Sequence, residues 1–388
     1  MQKVKIIRTA TIAMSLDFLL KGQLSFLNNH YEVVAVSGAD THLENVANRE
    51  GVRTVAIPMQ RAIRPFHDMI SLWKLYQLFR TEKPQIVHSI TPKAGLLSML
   101  AAYFAGVPIR VHTFTGLIFP SKVGSMQKLL IFMDKLLCKC ATHVYPEGQG
   151  VKNDLVYYKI TSKPLKFLAN GNINGIDTDY FNSQEVSFNQ IQELKNSIGI
   201  HTADFVFIFV GRLVTDKGIN ELVAAFDQLS KIKSNVKLLL VGPKESDLDP
   251  LLSSTLETLQ SNRSIIEVGF QPDVRSYYAI ANAFVFPSYR EGFPNVVLQA
   301  GAMGLPTIVT DISGCNEIIK NGKNGLVIPV KNEKAILEAM KQMIEDTILR
   351  NKLQERIRPI IVSHYSQQFV WDAALEEYEV IVKDIKIN

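Results

Sequence analysis

Residues 288–306 read SYREGFPNVVLQAGAMGLP and place a carboxylate, Glu291, on a tight Gly-Phe-Pro-Asn turn. The apolar run before the turn, residues 283–287, predicts a strand, the run after it predicts a helix, and residues 307–310 predict the next strand. Pro294 suits the first helical position, because a proline there loses no hydrogen bond. Such a turn directs backbone N–H groups and the positive end of a helix at one point, which favours binding of a diphosphate and of sugar hydroxyls.

A second motif, FVGRLVTDKG at residues 209–218, ends a predicted strand and leads into a predicted helix. Arg212 offers a planar fork of N–H donors and Lys217 a point charge, which together suit the diphosphate of a nucleotide. A lone segment of this kind would be a weak signal. In the same chain as the EGFPN turn, it is a strong one.

Short apolar runs alternate with helical patterns along the chain, which predicts parallel βαβ units and an α/β fold of two doubly wound domains. The predicted strands are residues 4–7, 31–36, 53–57, 85–89, 110–113, 143–145 and 166–168, then 205–210, 236–241, 265–268, 283–287 and 307–310. The predicted helices are residues 16–28, 41–50, 67–81, 94–105, 125–141, 219–231, 274–281, 333–357 and 367–384, with the last break at Pro359. Such sheets bind ligands at the carboxyl ends of their strands, where both motifs lie.

The charge of the chain is unevenly distributed, although the net charge is only +5. Residues 1–183 carry 21 Lys and Arg against 12 Asp and Glu, whereas the remainder carries 21 against 25. A basic half favours an anionic partner, but no basic-aromatic stripe, zinc-ligand spacing or RNP-type segment indicates nucleic acid. Three cysteines without a histidine at metal-ligand spacing argue for reduced thiols rather than a disulfide framework.

The two motifs closely resemble the E-x(7)-E and GRL…KG signatures of the family-4 retaining glycosyltransferases, and the resemblance covers nearly the whole chain. It implies the GT-B fold, in which two Rossmann-like doubly wound domains face a cleft and the last helix crosses back onto the first domain. The implied N-terminal acceptor-side domain is residues 1–183 with the C-terminal helix 366–388, anchored by Trp371 and Tyr378. The implied nucleotide-sugar-binding domain is residues 184–365.

The resemblance also implies roles for single residues of the second domain. Glu291 is implied to contact the hydroxyls of the donor sugar, and Arg212 and Lys217 to neutralise the leaving nucleotide; these three are the predicted catalytic residues. The second Glu of the signature, which binds the ribose, is replaced by Gln299, which keeps an acceptor, gains donors and loses the charge. The predicted donor-binding residues are Gly211, Arg212, Lys217, Glu291, Gly292, Phe293, Asn295 and Gln299.

The first half departs from the family pattern at the predicted acceptor side. Many relatives carry a histidine immediately before the glycine that corresponds to Gly116, where this chain has Thr115, with His112 three residues earlier. Either His112 compensates or the subfamily does without this histidine, and a core position for His112 is an equal alternative. Lys93, at a predicted strand-to-helix turn, is a candidate for binding an acceptor phosphate. The predicted acceptor-side residues are therefore Lys93, His112 and Thr115.

The expected activity is transfer of a sugar, such as an N-acetylhexosamine from UDP, onto a lipid-diphosphate-linked saccharide in capsule, O-antigen or related surface polysaccharide synthesis. No cofactor or metal is expected, because the nucleotide sugar is a substrate and the D-x-D pair Asp177 and Asp179 reads as a loop. The alternatives are a UDP-sugar 2-epimerase-like enzyme of the same fold and a non-catalytic nucleotide-sugar-binding protein. A dinucleotide oxidoreductase is disfavoured, because no G-x-G-x-x-G follows the first strand of either half.

A membrane surface is the expected location of the reaction. No segment reaches the roughly 18 apolar residues needed to span a bilayer. Two predicted helical stretches, residues 61–83 and 125–141, combine basic and aromatic residues as interfacial anchors do, with a core helix bearing a solvated lysine face as the equal alternative. The basic residues are Arg61, Arg64, Lys74, Arg80, Lys83, Lys128, Lys135 and Lys139. We expect a cytoplasmic protein held peripherally at the anionic inner-membrane surface.

Overall fold

The computed structural model describes residues 3–60, 62–245 and 249–387, and the side chains of all of these except Ser121 and residues 385–387. Arg61, one of the basic residues named above, lies outside the described residues. The chain forms two compact units, Met1–Gly175 with Gln367–Asn388 and Ile176–Ser366. Residues 176–183, predicted as the end of the first domain, belong to the second unit.

The first unit is built on a six-stranded parallel sheet. Its strands are β1 (Lys5–Thr9), β2 (Glu32–Ser37), β3 (Arg53–Ala56), β4 (Ile86–Ser89), β5 (Ile109–Phe114) and β6 (His143–Pro146). Its helices up to residue 157 are α1 (Ala13–Leu19), α2 (Gln23–His30), α3 (Thr41–Glu50), α4 (Pro65–Glu82), α5 (Pro92–Phe104), α6 (Gly124–Cys140) and α7 (Gln149–Tyr157). The strand order β3-β2-β1-β4-β5-β6 is that of a doubly wound fold, with the reversal between β1 and β4.

Helices cover this sheet on both faces. Successive side chains of a strand point to opposite faces, so Ile6 of β1 packs with α1, α2 and α3, whereas Ile7 packs with α4, α5 and α6. Burial on both faces explains why the central strands read as nearly continuous apolar runs rather than alternating ones.

The second unit repeats the same topology. Its strands are β7 (Phe205–Val210), β8 (Val236–Val241), β9 (Ile265–Gly269), β10 (Ala283–Phe286), β11 (Thr307–Thr310) and β12 (Gly325–Ile328). Its helices are α8 (Phe188–Ser197), α9 (Ile219–Ile232), α10 (Ser253–Ser261), α11 (Arg275–Ala279), α12 (Asn295–Ala302), α13 (Cys315–Ile318), α14 (Glu333–Glu345) and α15 (Thr347–Tyr365). The parallel strand order is β12-β11-β10-β7-β8-β9, so β7 and β10 are neighbours at the reversal. The predicted α/β fold with two doubly wound domains is confirmed.

The C-terminal helix α16 (Gln367–Ile387) packs on the first unit, as the resemblance implied. The Trp371 Nε1 atom donates to Asn174 Oδ1 at 2.7 Å, and the Trp371 ring lies 5.4 Å from the ring of Phe26. Tyr378 is buried, with its hydroxyl oxygen 2.9 Å from Arg8 Nη1 and 2.5 Å from His88 Nδ1. Both predicted anchors of this helix are therefore confirmed.

Three local predictions of secondary structure are wrong. The helix predicted over residues 16–28 is two helices, because Gly22 adopts a left-handed φ of 81° between them. Residues 166–168 form no strand; Lys166 instead pairs with Glu377 of α16 at 2.5 Å. Pro359 lies inside α15, and the break predicted there falls instead at Ser366, before α16. A further break, which was not predicted, falls at Asp346, whose carboxylate accepts a hydrogen bond from the Leu349 N–H at 2.9 Å at the start of α15.

Candidate active site

The two sequence motifs meet at the reversal of the second sheet, because the loops that carry them follow the neighbouring strands β7 and β10. Lys217 Nζ lies 2.5 Å from Glu291 Oε1. The Tyr289 N–H donates to the Asp216 carbonyl at 2.9 Å and joins the two loops through their backbones. This is the point at which open α/β sheets bind ligands.

The Lys217–Glu291 pair is held in one geometry by its neighbours. The two side chains are only 14% and 15% exposed. Ser288 Oγ donates to Glu291 Oε1 at 2.8 Å, and Lys217 Nζ lies 5.8 Å from the ring centre of Phe286. Charged groups that are fixed in a partly buried site interact more strongly with a ligand than the same charges do in water.

Two glycines permit the close backbone packing of these loops. Gly218 has a φ of +71°, and a Cβ atom there would lie 2.2 Å from the Pro287 carbonyl oxygen. Gly242, which follows β8, has a φ of +146°, and a Cβ atom there would lie 1.8 Å from the Gly211 carbonyl oxygen. Only glycine fits either position, so the path of the loop from Gly211 to Gly218 depends on both.

The EGFPN turn leads into α12, which begins at Asn295. Pro294 is the residue before the helix, with an extended ψ of 107°, so its prediction as the first helical residue is wrong by one position. Phe293 is buried, and its ring lies 5.6 Å from that of Tyr365, so its side chain anchors the turn in the core. A Cβ atom at Gly314 would lie 2.4 Å from the Gly292 carbonyl oxygen. The residue before α13 therefore packs directly against the backbone of the turn.

Gln299 lies on α12 and is held by a buried tyrosine of α11. The Tyr278 hydroxyl donates to Gln299 Oε1 at 3.4 Å and to the Val296 carbonyl at 3.3 Å. Burial raises the pKa of Tyr278 well above its ordinary value, so the hydroxyl stays protonated and remains a donor. Among the described residues, the amide nitrogen of Gln299 has no hydrogen-bond partner.

Arg212 is the most exposed of the three predicted catalytic residues, with 45% of its side chain in contact with solvent. Its Nη1 atom lies 2.6 Å from Glu245 Oε2 in the loop after β8. An anionic ligand would have to compete with this carboxylate for the guanidinium.

The predicted acceptor-side residues all lie in the first unit and are engaged within it. Lys93 Nζ lies 2.8 Å from Asp68 Oδ1 of α4. Thr115 Oγ1 donates to the Ile90 carbonyl at 2.8 Å. His112 is buried, its Nδ1 atom is 2.8 Å from Ser89 Oγ, and burial lowers its pKa to about 3. His112 is thus a neutral residue of the core at neutral pH.

Asp177 and Asp179 lie in a loop, as the sequence predicts. The Asp177 Oδ1 atom accepts hydrogen bonds from the N–H groups of Asp179 and Tyr180 at 3.2 and 2.9 Å. Within the described ranges, no three His, Cys, Asp or Glu side chains are grouped as metal ligands would be.

Sequence reasoning missed several side chains that contact predicted site residues, including the following four. Glu245 pairs with Arg212, Asp68 pairs with Lys93, and Tyr278 contacts Gln299. Ser288 stands within the quoted motif, and its spacing of three residues from Glu291 could have indicated a local hydrogen bond. The other three come from loops or helices elsewhere in the chain, so no local pattern marks them.

Known proteins resemble this chain over its whole length. Residues 190–359 match the family model described as "Glycosyl transferases group 1", and residues 27–171 match "Glycosyl transferase 4-like domain". The chain is 32% identical over 386 residues to the capsular polysaccharide biosynthesis glycosyltransferase CapM of Staphylococcus aureus, covering 99% of each chain. It is 29% identical over 323 residues to an Escherichia coli UDP-Gal:alpha-D-GlcNAc-diphosphoundecaprenol alpha-1,3-galactosyltransferase, covering 82% of this chain and 81% of the relative.

Solved structures show the same fold. A glycosyltransferase from Rickettsia africae ESF-5 aligns with a TM-score of 0.83 at 20% identity, covering 99% of this chain and 100% of that one. Fold, motifs and relatives together define a glycosyltransferase, and hence a transferase enzyme. The chain belongs to the family-4 glycosyltransferases, which have the GT-B fold. Its relatives include a glycosyltransferase of capsular polysaccharide biosynthesis.

Proposed function

We propose that this enzyme transfers a sugar from a UDP-linked donor, such as a UDP-N-acetylhexosamine, to a hydroxyl of a lipid-diphosphate-linked saccharide, with retention of configuration at the sugar. The observation that carries the proposal is the Lys217–Glu291 pair at the reversal of the second sheet. The Escherichia coli relative, whose name gives UDP-Gal as donor and a diphosphoundecaprenol-linked sugar as acceptor, supports the substrate classes.

The proposed chemistry assigns a role to each charged group. Lys217 and Arg212 stabilise the negative charge that develops on the diphosphate as the bond from sugar C1 to phosphate oxygen breaks. Glu291 accepts hydrogen bonds from hydroxyls of the donor sugar and so orients it. The backbone N–H groups after Gly292, at the start of α12, contribute further donors to sugar or phosphate oxygens.

The remaining step forms the new glycosidic bond. The acceptor hydroxyl attacks C1 from the face that the nucleotide leaves, which gives retention. The proton of this hydroxyl passes to an oxygen of the departing diphosphate and leaves with UDP. No cofactor is consumed. In this scheme the protein contributes electrostatics and positioning, since the leaving phosphate acts as the base.

The test is a donor screen with the purified full chain. UDP-N-acetylglucosamine, UDP-N-acetylgalactosamine, UDP-galactose and UDP-glucose are each incubated with a short-chain lipid-diphosphate N-acetylglucosamine, and UDP release and the anomeric configuration of the product are measured. We expect acceptor-dependent release with one donor and an α-linked product from the α-linked donor. A β-linked product would refute retention, and a new nucleotide sugar formed without acceptor would favour the epimerase alternative.

The proposed acceptor also places the reaction at a membrane surface. Of the helices that the structure describes, none has both the length and the apolar character required to cross a bilayer. We therefore propose peripheral association with the cytoplasmic face of the inner membrane.

A further inference from the structure

A cavity opens on the surface of the first unit between helices α1 and α3. Its volume is about 530 Å³, within the range of small-molecule sites. The lining residues, on or just after α1 and on α3, are Asp17, Phe18, Lys21, Asn45, Asn48 and Arg49. None of these residues is assigned a role in the active site proposed above, so the cavity needs a separate explanation.

The cavity lies on the flank of the first unit, apart from the predicted acceptor side. Helices α1 and α3 pack on the face of the sheet that buries Ile6, whereas α5, which carries Lys93, packs on the face that buries Ile7. Helix α1 begins after β1, and α1 and α2 together return the chain to the start of β2. Residues 17–21 lie midway along this return, away from the carboxyl edge of the sheet at which doubly wound folds bind their main ligand.

The charged groups of the cavity compensate one another. Asp17 is buried; its Oδ2 atom lies 2.6 Å from His42 Nδ1, and its Oδ1 atom contacts Arg49 Nη1. The Arg49 Nε atom lies 2.7 Å from Oε1 of the buried Glu50. Burial alone would raise the pKa of Asp17, but the hydrogen bonds from His42 and Arg49 outweigh burial and hold this pKa below its ordinary value. Arg49 thus lies between two carboxylates that would repel an anionic ligand, so the cavity favours a neutral one.

Two side-chain amides of α3 offer hydrogen-bonding groups to a ligand. Asn45 and Asn48 are exposed, and their spacing of three residues places them on one side of the helix. Neither amide has a hydrogen-bond partner in the part of the chain that the structure describes. An asparagine amide has two donors and an acceptor, and therefore matches neighbouring hydroxyls, each of which both donates and accepts.

Phe18 forms an apolar wall beside these polar groups. Its side chain is 61% exposed, whereas Leu16 and Leu20 of the same segment are buried. The Phe18 ring meets the ring of His42 edge to face, with the ring centres 5.5 Å apart, and most of its surface stays open. The face of an aromatic ring carries partial negative charge, which attracts the C–H bonds on the face of a pyranose ring. An open aromatic ring beside free amides therefore suits a sugar unit, which is apolar on its ring faces and polar around its rim.

We infer that the cavity between α1 and α3 binds a neutral saccharide unit: Phe18 stacks on the sugar ring, and Asn45 and Asn48 form hydrogen bonds with its hydroxyls. The inference goes beyond the proposed function, because it gives the first unit a saccharide site apart from the site at which the transfer is proposed to occur. Inorganic phosphate is the rival ligand, since Lys21 and Arg49 are basic. The carboxylates beside Arg49 argue against phosphate.

Saturation-transfer NMR with the purified full chain tests the cavity without donor, lipid or turnover. The probes are N,N′-diacetylchitobiose, lactose and maltose at about 10 mM, a concentration that suits the weak binding expected from one stacked ring and two amides. At least one probe should receive saturation, chiefly at the C–H protons of one ring face, and the open-chain polyol sorbitol should receive none. An equal concentration of inorganic phosphate should leave the signals unchanged. Absence of transfer to all three probes, or their displacement by phosphate, would overturn the inference.

Substitutions locate the bound probe. Phe18→Ala should weaken its binding by at least about tenfold, and Asn45→Ala combined with Asn48→Ala should do the same. The matched control is Phe188→Ala, which removes a phenylalanine of 72% exposure from the second unit and should bind the probe normally. All these side chains are exposed, so the variants should fold, and urea unfolding checks that they do. Equal binding by the natural chain and by Phe18→Ala would contradict the assignment.

Glu291→Gln separates the cavity from the proposed active site, and it should bind the probe as the natural chain does. Loss of binding in Glu291→Gln with persistence in Phe18→Ala would place the saccharide at the proposed donor site and overturn the inference. In activity assays Phe18→Ala should keep the natural rate with a short-chain lipid-diphosphate N-acetylglucosamine, and a lowered rate would show that the cavity is not separate from the reaction site. A chain that binds the probe but transfers no sugar would refute the proposed function and leave the saccharide site standing.

Discussion

Lys217 Nζ and Glu291 Oε1 lie 2.5 Å apart although 74 positions separate the two residues in the chain. The pair exists because β7 and β10 are neighbours in the sheet while the intervening chain forms β8 and β9 on one side. The proposed cation for the leaving diphosphate and the proposed anion for the sugar hydroxyls are thereby held in adjacent positions. Such preorganisation removes the cost of assembling the charges during the reaction.

We expect Lys217→Ala and Glu291→Gln each to lower kcat by at least about 100-fold, because each removes a charge that acts on the transition state. Steady-state kinetics with the donor found in the screen measure the effect. Lys231→Ala and Glu338→Gln are matched controls, since these residues form exposed pairs within helices, and both should keep normal rates. Near-normal turnover in a folded Lys217→Ala or Glu291→Gln variant would remove that residue from the site.

The KM for the donor should depend on Glu245, the partner of Arg212, as well as on Arg212 itself. Since Glu245 Oε2 lies 2.6 Å from Arg212 Nη1, a donor diphosphate must displace that carboxylate. Glu245→Gln should therefore lower the KM for the donor by about two- to fivefold, the scale of an exposed ion pair. Arg212→Ala should raise it, and the double variant should resemble Arg212→Ala alone. A raised KM in Glu245→Gln would show that Glu245 supports the arginine instead of competing for it.

Much of this site could be predicted from the sequence, and the unpredicted part has a physical reason. Glu291, Arg212 and Lys217 stand in local motifs with fixed offsets from predicted strand ends, so their location at the carboxyl edge of the sheet followed from the α/β pattern. Ser288 is also local. Tyr278 and Glu245 could not be predicted in this way, because their contacts depend on how α11 and the loop after β8 pack against the site.

In the fold too, features that depend on local sequence could be predicted, and features that depend on tertiary packing could not. Strand and helix positions followed the periodicity of apolar residues, and the topology followed their alternation. Helix ends were less predictable: the break at Asp346 carries a capping hydrogen bond to the Leu349 N–H, whereas Pro359 is accommodated inside α15. His112 shows the limit most clearly, since burial against Ser89 and Gly95 cannot be distinguished in sequence from exposure at a strand end.

Gln299 provides a test of charge at the proposed ribose position. Gln299→Leu should raise the KM for the donor by about tenfold, the effect of losing roughly 1.4 kcal/mol of hydrogen bonding. Gln299→Glu should change that KM by less than about threefold, because a carboxylate can still accept from Tyr278 and from a sugar hydroxyl. The exposed Gln354→Leu serves as control and should have no effect. Equal KM values for the natural chain and Gln299→Leu would place the ribose elsewhere.

The backbone contact at Gly242 should be essential to the second unit. Gly242→Ala brings a Cβ atom within 1.8 Å of the Gly211 carbonyl oxygen and forces the chain from its φ of +146°. Gly269→Ala is the matched control, since its φ is +69° and, apart from its two chain neighbours, no described residue has an atom within 4 Å of the added Cβ. We expect Gly269→Ala to cost about 1–2 kcal/mol of unfolding free energy from backbone strain alone. Gly242→Ala should cost at least about 2 kcal/mol more, as measured by urea unfolding, and a smaller difference would mean that the two loops can separate freely.

Asp134 on α6 should make the free energy of unfolding depend on pH. The direction of this dependence should be opposite to the one that the buried histidines cause. Burial raises the pKa of Asp134 to about 7, whereas an unfolded aspartate titrates near 3.9. Between these values the folded chain holds a proton that the unfolded chain releases, so the free energy of unfolding falls as pH rises from about 4 to 7. His112, with its pKa lowered to about 3 by burial, has the reverse effect: the unfolded chain takes up the proton below about pH 6.5, so stability falls as pH falls.

Asp134→Asn isolates the first effect, because the amide has the shape of the carboxylic acid and does not ionise. The variant should match the natural chain in urea midpoint near pH 4 and become progressively more stable than it up to about pH 7. The difference in unfolding free energy should grow by at most about 1.4 kcal/mol per pH unit. Above pH 7 the difference should level off, since both states of the natural chain are then ionised. A difference that stays constant from pH 4 to pH 8 would mean that Asp134 is hydrated in the folded protein, and the slope left in the variant would then report the histidines alone.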